Sequence, residues 1–318
     1  MASVTETPFS FSNANGSTSV ASLLTDSDPS YVVAGVIAVL SCLVGIPTNI
    51  LMIVKLSRHL RGSSMTKRLI FNLALSDLLS LFCLVIAGAI FATGPHLAHG
   101  LCQLFFFVIL FCITSSSNIL LLISVQRYYQ ILHHAKWKKV TRAWQRVLLS
   151  SVWVLGALLP LPLVLSLTDK TSRDAAPGKT KTSCREKMIE PHAEVVHVAI
   201  VTSAQLVVLV FYVKLVRGVR KVQMSDKKKQ KINRLFTRIL AVSLIDFLPL
   251  FARLVAIASH FTPSETLTDI SRNLTPVEYL YFLNHCLNPL LYFFASRHQL
   301  RDREKKRKLF LMALNDSS

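Results

Sequence analysis

The stretch Leu101–Leu132, LCQLFFFVILFCITSSSNILLLISVQRYYQIL, decides the fold. Between Cys102 and the polar knot Gln126-Arg127-Tyr128 it carries no charged residue. At about 1.5 Å per residue, a helix from Cys102 to Arg127 is roughly 38 Å long, enough to cross the apolar core of a bilayer with some tilt. The cysteine then emerges at one membrane face and the arginine at the other. A helix in a soluble core rarely stays apolar for so long.

Working outward, hydrophobic residues make up 52% of the 318, charged residues 17%, and mean hydropathy is +0.46, more apolar surface than one soluble core of this length needs. A window of about 20 residues finds seven apolar spans, at 31–56, 67–92, 101–132, 146–167, 194–216, 235–260 and 277–295. They predict an all-α, seven-transmembrane helix bundle over 31–295, preceded by a tail at 1–30 and followed by a cytoplasmic segment at 296–318.

Net charge is +19, from 36 Lys and Arg against 17 Asp and Glu. A nucleic-acid partner would need that charge gathered on one face of a soluble domain. Instead the segments after spans one, three, five and seven, with the helix ends that border them, hold five, six, ten and seven basic residues, and the amino-terminal tail holds none. Basic residues stay on the cytoplasmic side, so the amino terminus faces out and no nucleic-acid partner is expected. The tail is Ser/Thr-rich and lacks a basic start, so it does not read as a cleavable signal peptide, and the first span is expected to insert as its own signal anchor.

Asn15-Gly16-Ser17 and Asn273-Leu274-Thr275 match the glycosylation sequon and both fall outside in this topology. Asn315-Asp316-Ser317 matches too, but lies inside. Cys42, Cys83, Cys112 and Cys286 sit within spans, where small buried thiols are ordinary. Cys102 and Cys184 are the two at the outer surface, which leaves one disulfide to expect in an oxidising compartment.

Seven spans, an outside amino terminus and that cysteine pair resemble the rhodopsin-like G-protein-coupled receptors, over about residues 31–310. Gly45-Ile46-Pro47-Thr48-Asn49 is similar to the family's G-x-x-x-N, and Asn72-Leu73-Ala74-Leu75-Ser76-Asp77 to its N-L-x-x-x-D. Gln126-Arg127-Tyr128 resembles D-R-Y with a neutral first residue, Trp153 the fourth-span tryptophan, and Asn288-Pro289-Leu290-Leu291-Tyr292 a full N-P-x-x-Y. The resemblance implies a plasma-membrane receptor rather than an enzyme. It implies an extracellular ligand in the outer half of the bundle and a heterotrimeric G protein inside, with arrestin and membrane lipids as further partners. VQRYYQIL and the Leu-Asn-Pro-Leu-Leu-Tyr of span seven look most like the peptide, chemoattractant and lipid-mediator branch.

Asp77 in mid-membrane costs roughly 2.5–3.5 kcal/mol to insert, so it should face polar partners inside the bundle. Asn49, Ser116, Asn284 and Asn288 are the candidates. The resemblance implies a sodium pocket of Asp77, Ser116, Asn284 and Asn288; a hydrogen-bonded cluster without an ion is the other reading. By resemblance, Arg127 couples to the G protein with Tyr128, Tyr212 and Tyr292 in support. Gln126 holds the arginine less firmly than a carboxylate would, so the resting state is expected to be less well locked, or locked by something else. Ala204 stands where the fifth span usually has proline, so that helix should be straighter. In span six Pro249 supplies a kink, but Asp246 and Phe247 replace the family's cysteine and tryptophan. Asp246 is either a second network member or a protonated acid.

The outer half offers Phe106, Ile109 and Leu110 on span three. By resemblance, Ile109 occupies the position of the amine-pairing aspartate and Phe282 that of the retinal lysine, which argues against both ligand types. His197, Arg253, Glu278 and Tyr281 remain. Arg253 either pairs with Glu278 or meets a ligand carboxylate or phosphate, so an anionic amphipathic lipid mediator or a peptide is expected. After Tyr292, the basic run to Lys308 and Leu309-Phe310-Leu311-Met312 predict a short amphipathic eighth helix on the inner leaflet. No cysteine follows Cys286 to carry a palmitoyl group. A transporter or channel is disfavoured, because no inverted repeat or second intramembrane charge pathway is evident. A receptor-like scavenger or scaffold with weak or no G-protein coupling stays open, given Gln126, Ala204, Asp246 and Phe247.

Overall fold

The computed structural model describes residues 29–58, 60, 63–93, 99–169, 187–188, 190–221, 226–262, 264–278 and 280–289. The helices are α1 (Pro29–Ser57), α2 (Met65–Thr93), α3 (His99–Leu132), the short α4 (His134–Lys138), α5 (Arg142–Leu158), the short α6 (Leu161–Leu165), α7 (Pro191–Lys221), α8 (Asp226–Phe261) and α9 (Glu265–Glu278). Helix resumes over 281–289. A two-residue antiparallel ladder pairs β1 (Thr168–Asp169) with β2 (Lys187–Met188), and the fold is otherwise all-α.

Six segments among the described residues are long and apolar enough to cross a membrane, from Gly35–Ser57 to Ser243–Phe261. Helix α3 packs against α2, α5 and α7, while α8 touches α7 and α9, and α9 touches α1. The contacts therefore close a ring through α1, α2, α3, α7, α8 and α9, with α5 attached to it at α3. The burial pattern is that of a lipid-facing bundle: Ser41, Ser115 and Ser124 are fully buried, whereas Leu43 and Leu51 are 67% and 64% exposed. Without a hydrophobic drive between helices in lipid, small and polar residues do the joining. At Gly156 on α5, an added Cβ would lie 3.3 Å from the Ser115 backbone of α3. The two helices cross that closely because neither brings a large side chain.

Local signals explain the boundaries. Thr141 caps α5, its hydroxyl accepting from Trp144 N at 3.4 Å, and Pro191 starts α7 with the Glu190 carboxylate accepting from Ala193 N at 2.8 Å. Span four, an apolar window over 146–167, is divided into α5 and α6 where Pro160 and Pro162 interrupt the sequence. Helix α7 runs unbroken through Ala204, as the missing proline predicts. The last helix begins earlier than its apolar window. Leu267, Ile270, Leu274 and Val277 recur at helical spacing in α9, a helix that packs on α8 although the segment is too polar to register as a span. The amino-terminal tail, Asn15, Cys184, Tyr292 and the expected eighth helix lie outside the described residues.

Candidate functional site

Asp77, on α2, has no solvent exposure. Its Oδ1 accepts from Ser116 Oγ of α3 at 3.1 Å and lies 2.9 Å from His285 Nδ1, and its Oδ2 accepts from Asn288 Nδ2 at 3.2 Å. The second ring nitrogen of His285 lies 3.1 Å from the Ser80 hydroxyl, and the His285 carbonyl accepts from Asn49 Nδ2 at 2.9 Å. Ser116 is also bonded to Ser76, which donates to the Cys112 carbonyl. This network joins α1, α2, α3 and the 281–289 segment through one buried carboxyl. Asp77, Ser116 and Asn288 meet as expected. Asn284 is buried nearby in sequence but its Oδ1 has no hydrogen-bond partner, and it is not among the donors to Asp77.

His285 is the member that sequence reasoning missed. The signal was available: it lies three residues before Asn288 and four after Tyr281, on one helix face. Its ring meets Tyr281 edge-on at 5.2 Å, which connects the network to the outer half of the bundle. For sodium, the Asp77 carboxylate and the Ser116 hydroxyl would supply oxygen lone pairs, and the His285 ring and the Asn288 amide share the same carboxylate.

At the inner end, Gln126 is buried and its amide donates to Thr66 Oγ1 on α2 at 2.8 Å. That amide is therefore engaged by Thr66, and among the described residues no hydrogen bond joins it to Arg127. Tyr128 packs edge-on against Phe211 at 5.2 Å and its hydroxyl lies 3.3 Å from His133 Nε2. Tyr212 is buried in the α7 cluster with Val208, Leu215 and Val219, against Leu121 and Tyr128 of α3. Arg127 is half-buried at this junction, Pro249 is buried and Phe247 half-buried on α8, and Pro289 is buried beside Asn288. The Asp246 side chain lies outside the described residues. Trp153 donates from Nε1 to Asn72 Oδ1 at 3.0 Å, tying α5 to α2.

At the outer end, Arg253 meets an acid other than Glu278. Its guanidinium bonds to Glu194 in the first turn of α7, Nε donating to Oε1 at 2.5 Å. The Glu278 side chain lies outside the described residues. Phe106 and His197 are buried, with Ile109, Leu110 and Tyr281 half-buried. His197 approaches the Leu159 carbonyl beyond the end of α5. Cys102 is buried and disulfide-bonded. Asn273 is exposed on α9. Among the described residues there is no group of three or more His, Cys, Asp or Glu arranged to hold a metal.

Residues 48–292 match the family described as 7 transmembrane receptor (rhodopsin family). The chain is 29% identical to human C-X-C chemokine receptor type 5 over 196 residues, 60% of this chain and 53% of that receptor. It is 31% identical to Rattus norvegicus somatostatin receptor type 1 over 158 residues, 47% of this chain and 38% of the relative. It is 31% identical to the Cavia porcellus alpha-1A adrenergic receptor over 137 residues, 42% and 29% of the two chains. The matches span about half or less of these relatives' own lengths.

Proposed function

Because this chain belongs to the rhodopsin family of seven-transmembrane receptors, we propose that it is a multi-pass plasma-membrane receptor that binds an extracellular peptide in the outer half of its bundle and activates a heterotrimeric G protein. The observation that carries this reading is the polar path from Tyr281 through His285 to Asp77, Ser116 and Asn288. On this reading Tyr281 is the ligand-side ring, in contact with a buried network that holds α1, α2, α3 and the last helical segment together. A ligand that moves Tyr281 changes the setting of His285, and through it the packing near Pro289.

A peptide is favoured over an anionic lipid mediator by the Arg253–Glu194 pair. A guanidinium already engaged by a carboxylate attracts a ligand anion less than a separate one would. A polypeptide, with donors, acceptors and apolar side chains together, can use both members of the pair and the apolar surface of Phe106, Ile109 and Leu110. The chemokine and somatostatin receptors among the relatives point the same way, and Ile109 offers an amine no counter-charge.

The test is a panel of chemokines and small cyclic peptides applied to cells expressing the full chain, read by G-protein dissociation and by arrestin recruitment. G-protein activation by wild type, lost in Arg127→Ala with binding retained, supports the reading. Arrestin recruitment or internalisation with no nucleotide exchange refutes coupling and leaves the scavenger alternative, which the Gln126–Thr66 bond favours to the extent that it leaves Arg127 without its customary neighbour. Gln126→Asp should lower ligand-independent exchange, since a carboxylate beside the arginine restrains it.

A further inference from the structure

Over 33–54 on α1, 69–93 on α2 and 100–126 on α3 there is no basic residue, and in the 281–289 segment His285 is the only one. Asp77 is the one acid on the same four stretches. The carboxyl and the imidazole, 0% and 1% exposed, are thus left to each other. Three contacts hold the ring: Nδ1 lies 2.9 Å from Asp77 Oδ1, Nε2 lies 3.1 Å from the Ser80 hydroxyl, and Tyr281 meets it edge-on at 5.2 Å. Its backbone is pinned as well, since Asn49 donates to the His285 carbonyl at 2.9 Å. Gly45 lets α1 approach that closely, because a Cβ there would lie 2.6 Å from Leu81 Cδ1 and 3.3 Å from Cys286 Cβ, beside His285 in the chain. An imidazole fixed on so many sides does not swing away from the carboxylate.

A ring nitrogen and a carboxylate oxygen 2.9 Å apart have a hydrogen between them, so Nδ1 carries the N–H. Calcium, whose radius is close to sodium's, binds oxygens at about 2.3–2.6 Å. An ion held that way by Oδ1 has to stand where the His285 N–H stands. The Ser116 hydroxyl, 3.1 Å from the same oxygen, can turn a lone pair toward an ion. The ring N–H has no lone pair to turn.

We propose that His285 takes the place of a sodium ion at Asp77, so that this chain closes the network with a side chain of its own and is indifferent to sodium. An ion can leave such a site, whereas the imidazole stays with the 281–289 segment whenever that segment shifts against α2. Cutting the ring back to a hydroxyl opens the position. Asp77, Ser116 and the introduced hydroxyl then supply the oxygens, and sodium enters. The inference rests on the Asp77 network, and not on the ligand or on G-protein coupling.

The purified full chain is unfolded by heat, followed by tryptophan fluorescence, while sodium chloride replaces choline chloride at a constant ionic strength of about 0.15 M. The wild-type midpoint should move by less than about 1 °C. His285→Ser should start lower and gain about 3 °C in sodium, the shift expected in a chain of this size from a tenfold excess of ion over its dissociation constant. Potassium should not reproduce that gain, and adding Asp77→Asn to His285→Ser should abolish it. Sodium NMR gives a reading independent of stability: the variant broadens the line and the wild type does not. A wild type that gains about 3 °C in sodium, and loses the gain in Asp77→Asn, overturns the proposal. So does a folded His285→Ser that is indifferent to sodium by both measures, because the ring would then not be what keeps the ion out. Should that variant fail to fold, the wild-type midpoint and linewidth decide alone. No signalling is read, so loss of coupling leaves the result intact.

Discussion

His285→Ala removes the ring that touches both Asp77 and Ser80. Asp77 Oδ1 would keep Ser116 as its donor, and the Ser80 hydroxyl would lose its partner at 3.1 Å, both at buried positions. A hydrogen bond involving a charged group contributes about 1.5–3 kcal/mol and a neutral one about 0.5–1.5, so the loss is about 3 kcal/mol before any void left by the ring. For a chain of this size that is about 6 °C in the thermal midpoint. The assay is thiol-reactive dye unfolding of purified protein, using Cys83, Cys112 and Cys286, which are free and buried. Asp77→Asn is measured beside it and in combination. Residues in one network are non-additive, and the pair should show a coupling of at least about 1 kcal/mol. A shift below about 1 °C for His285→Ala, or simple additivity with Asp77→Asn, would refute the claim that this pair holds the helices together.

Gly156→Ala should cost about 1–3 kcal/mol, because its Cβ meets Ser115 Oγ at 2.0 Å and the Ser115 backbone at 3.3 Å; Ser115→Gly in the same chain should restore most of the thermal midpoint. Arg253→Ala and Glu194→Ala should each lower the midpoint by the equivalent of about 1–3 kcal/mol, and the exchanged pair Arg253→Glu/Glu194→Arg should recover part of it; three independent effects would break the pairing. Cys102→Ser and Cys184→Ser should each reduce surface expression several-fold by flow cytometry, and peptide mapping should join the two cysteines; a free thiol at 184 would overturn that partnership.

Much of the bundle was legible because lipid enforces a simple rule, that a crossing segment be long, apolar and internally hydrogen-bonded. That rule found α1, α2, α3, α5, α7 and α8 and missed the start of α9, whose stripe of Leu267, Ile270, Leu274 and Val277 is amphipathic rather than apolar. It also passed over the break at Pro160 and Pro162, which a hydropathy window averages away. Asp77 was legible as a residue needing partners, and Ser116 and Asn288 as two of them. His285 was missed, because its one signal, helical spacing to Tyr281 and Asn288, does not say which neighbouring helix the ring will face. The Arg253–Glu194 pair depends on how α7 and α8 face each other, which no spacing within either helix encodes. Gln126 was read through its neighbour in sequence, whereas the packing of α2 on α3 gave it Thr66.

The Asp77 network also has an order in time. Asp77 and His285 are 208 residues apart, and Asn288 is farther still. At roughly 5–20 residues per second of synthesis, the carboxyl waits about 10–40 s after its helix is made before those two partners exist. Ser116 arrives sooner, on the next helix. Through that interval the half-built chain carries a buried acid with an unfinished set of donors, the state that quality control in the membrane is placed to detect. The arrival of the last segment completes the set, so release of the newborn protein and closure of the helix ring become the same event.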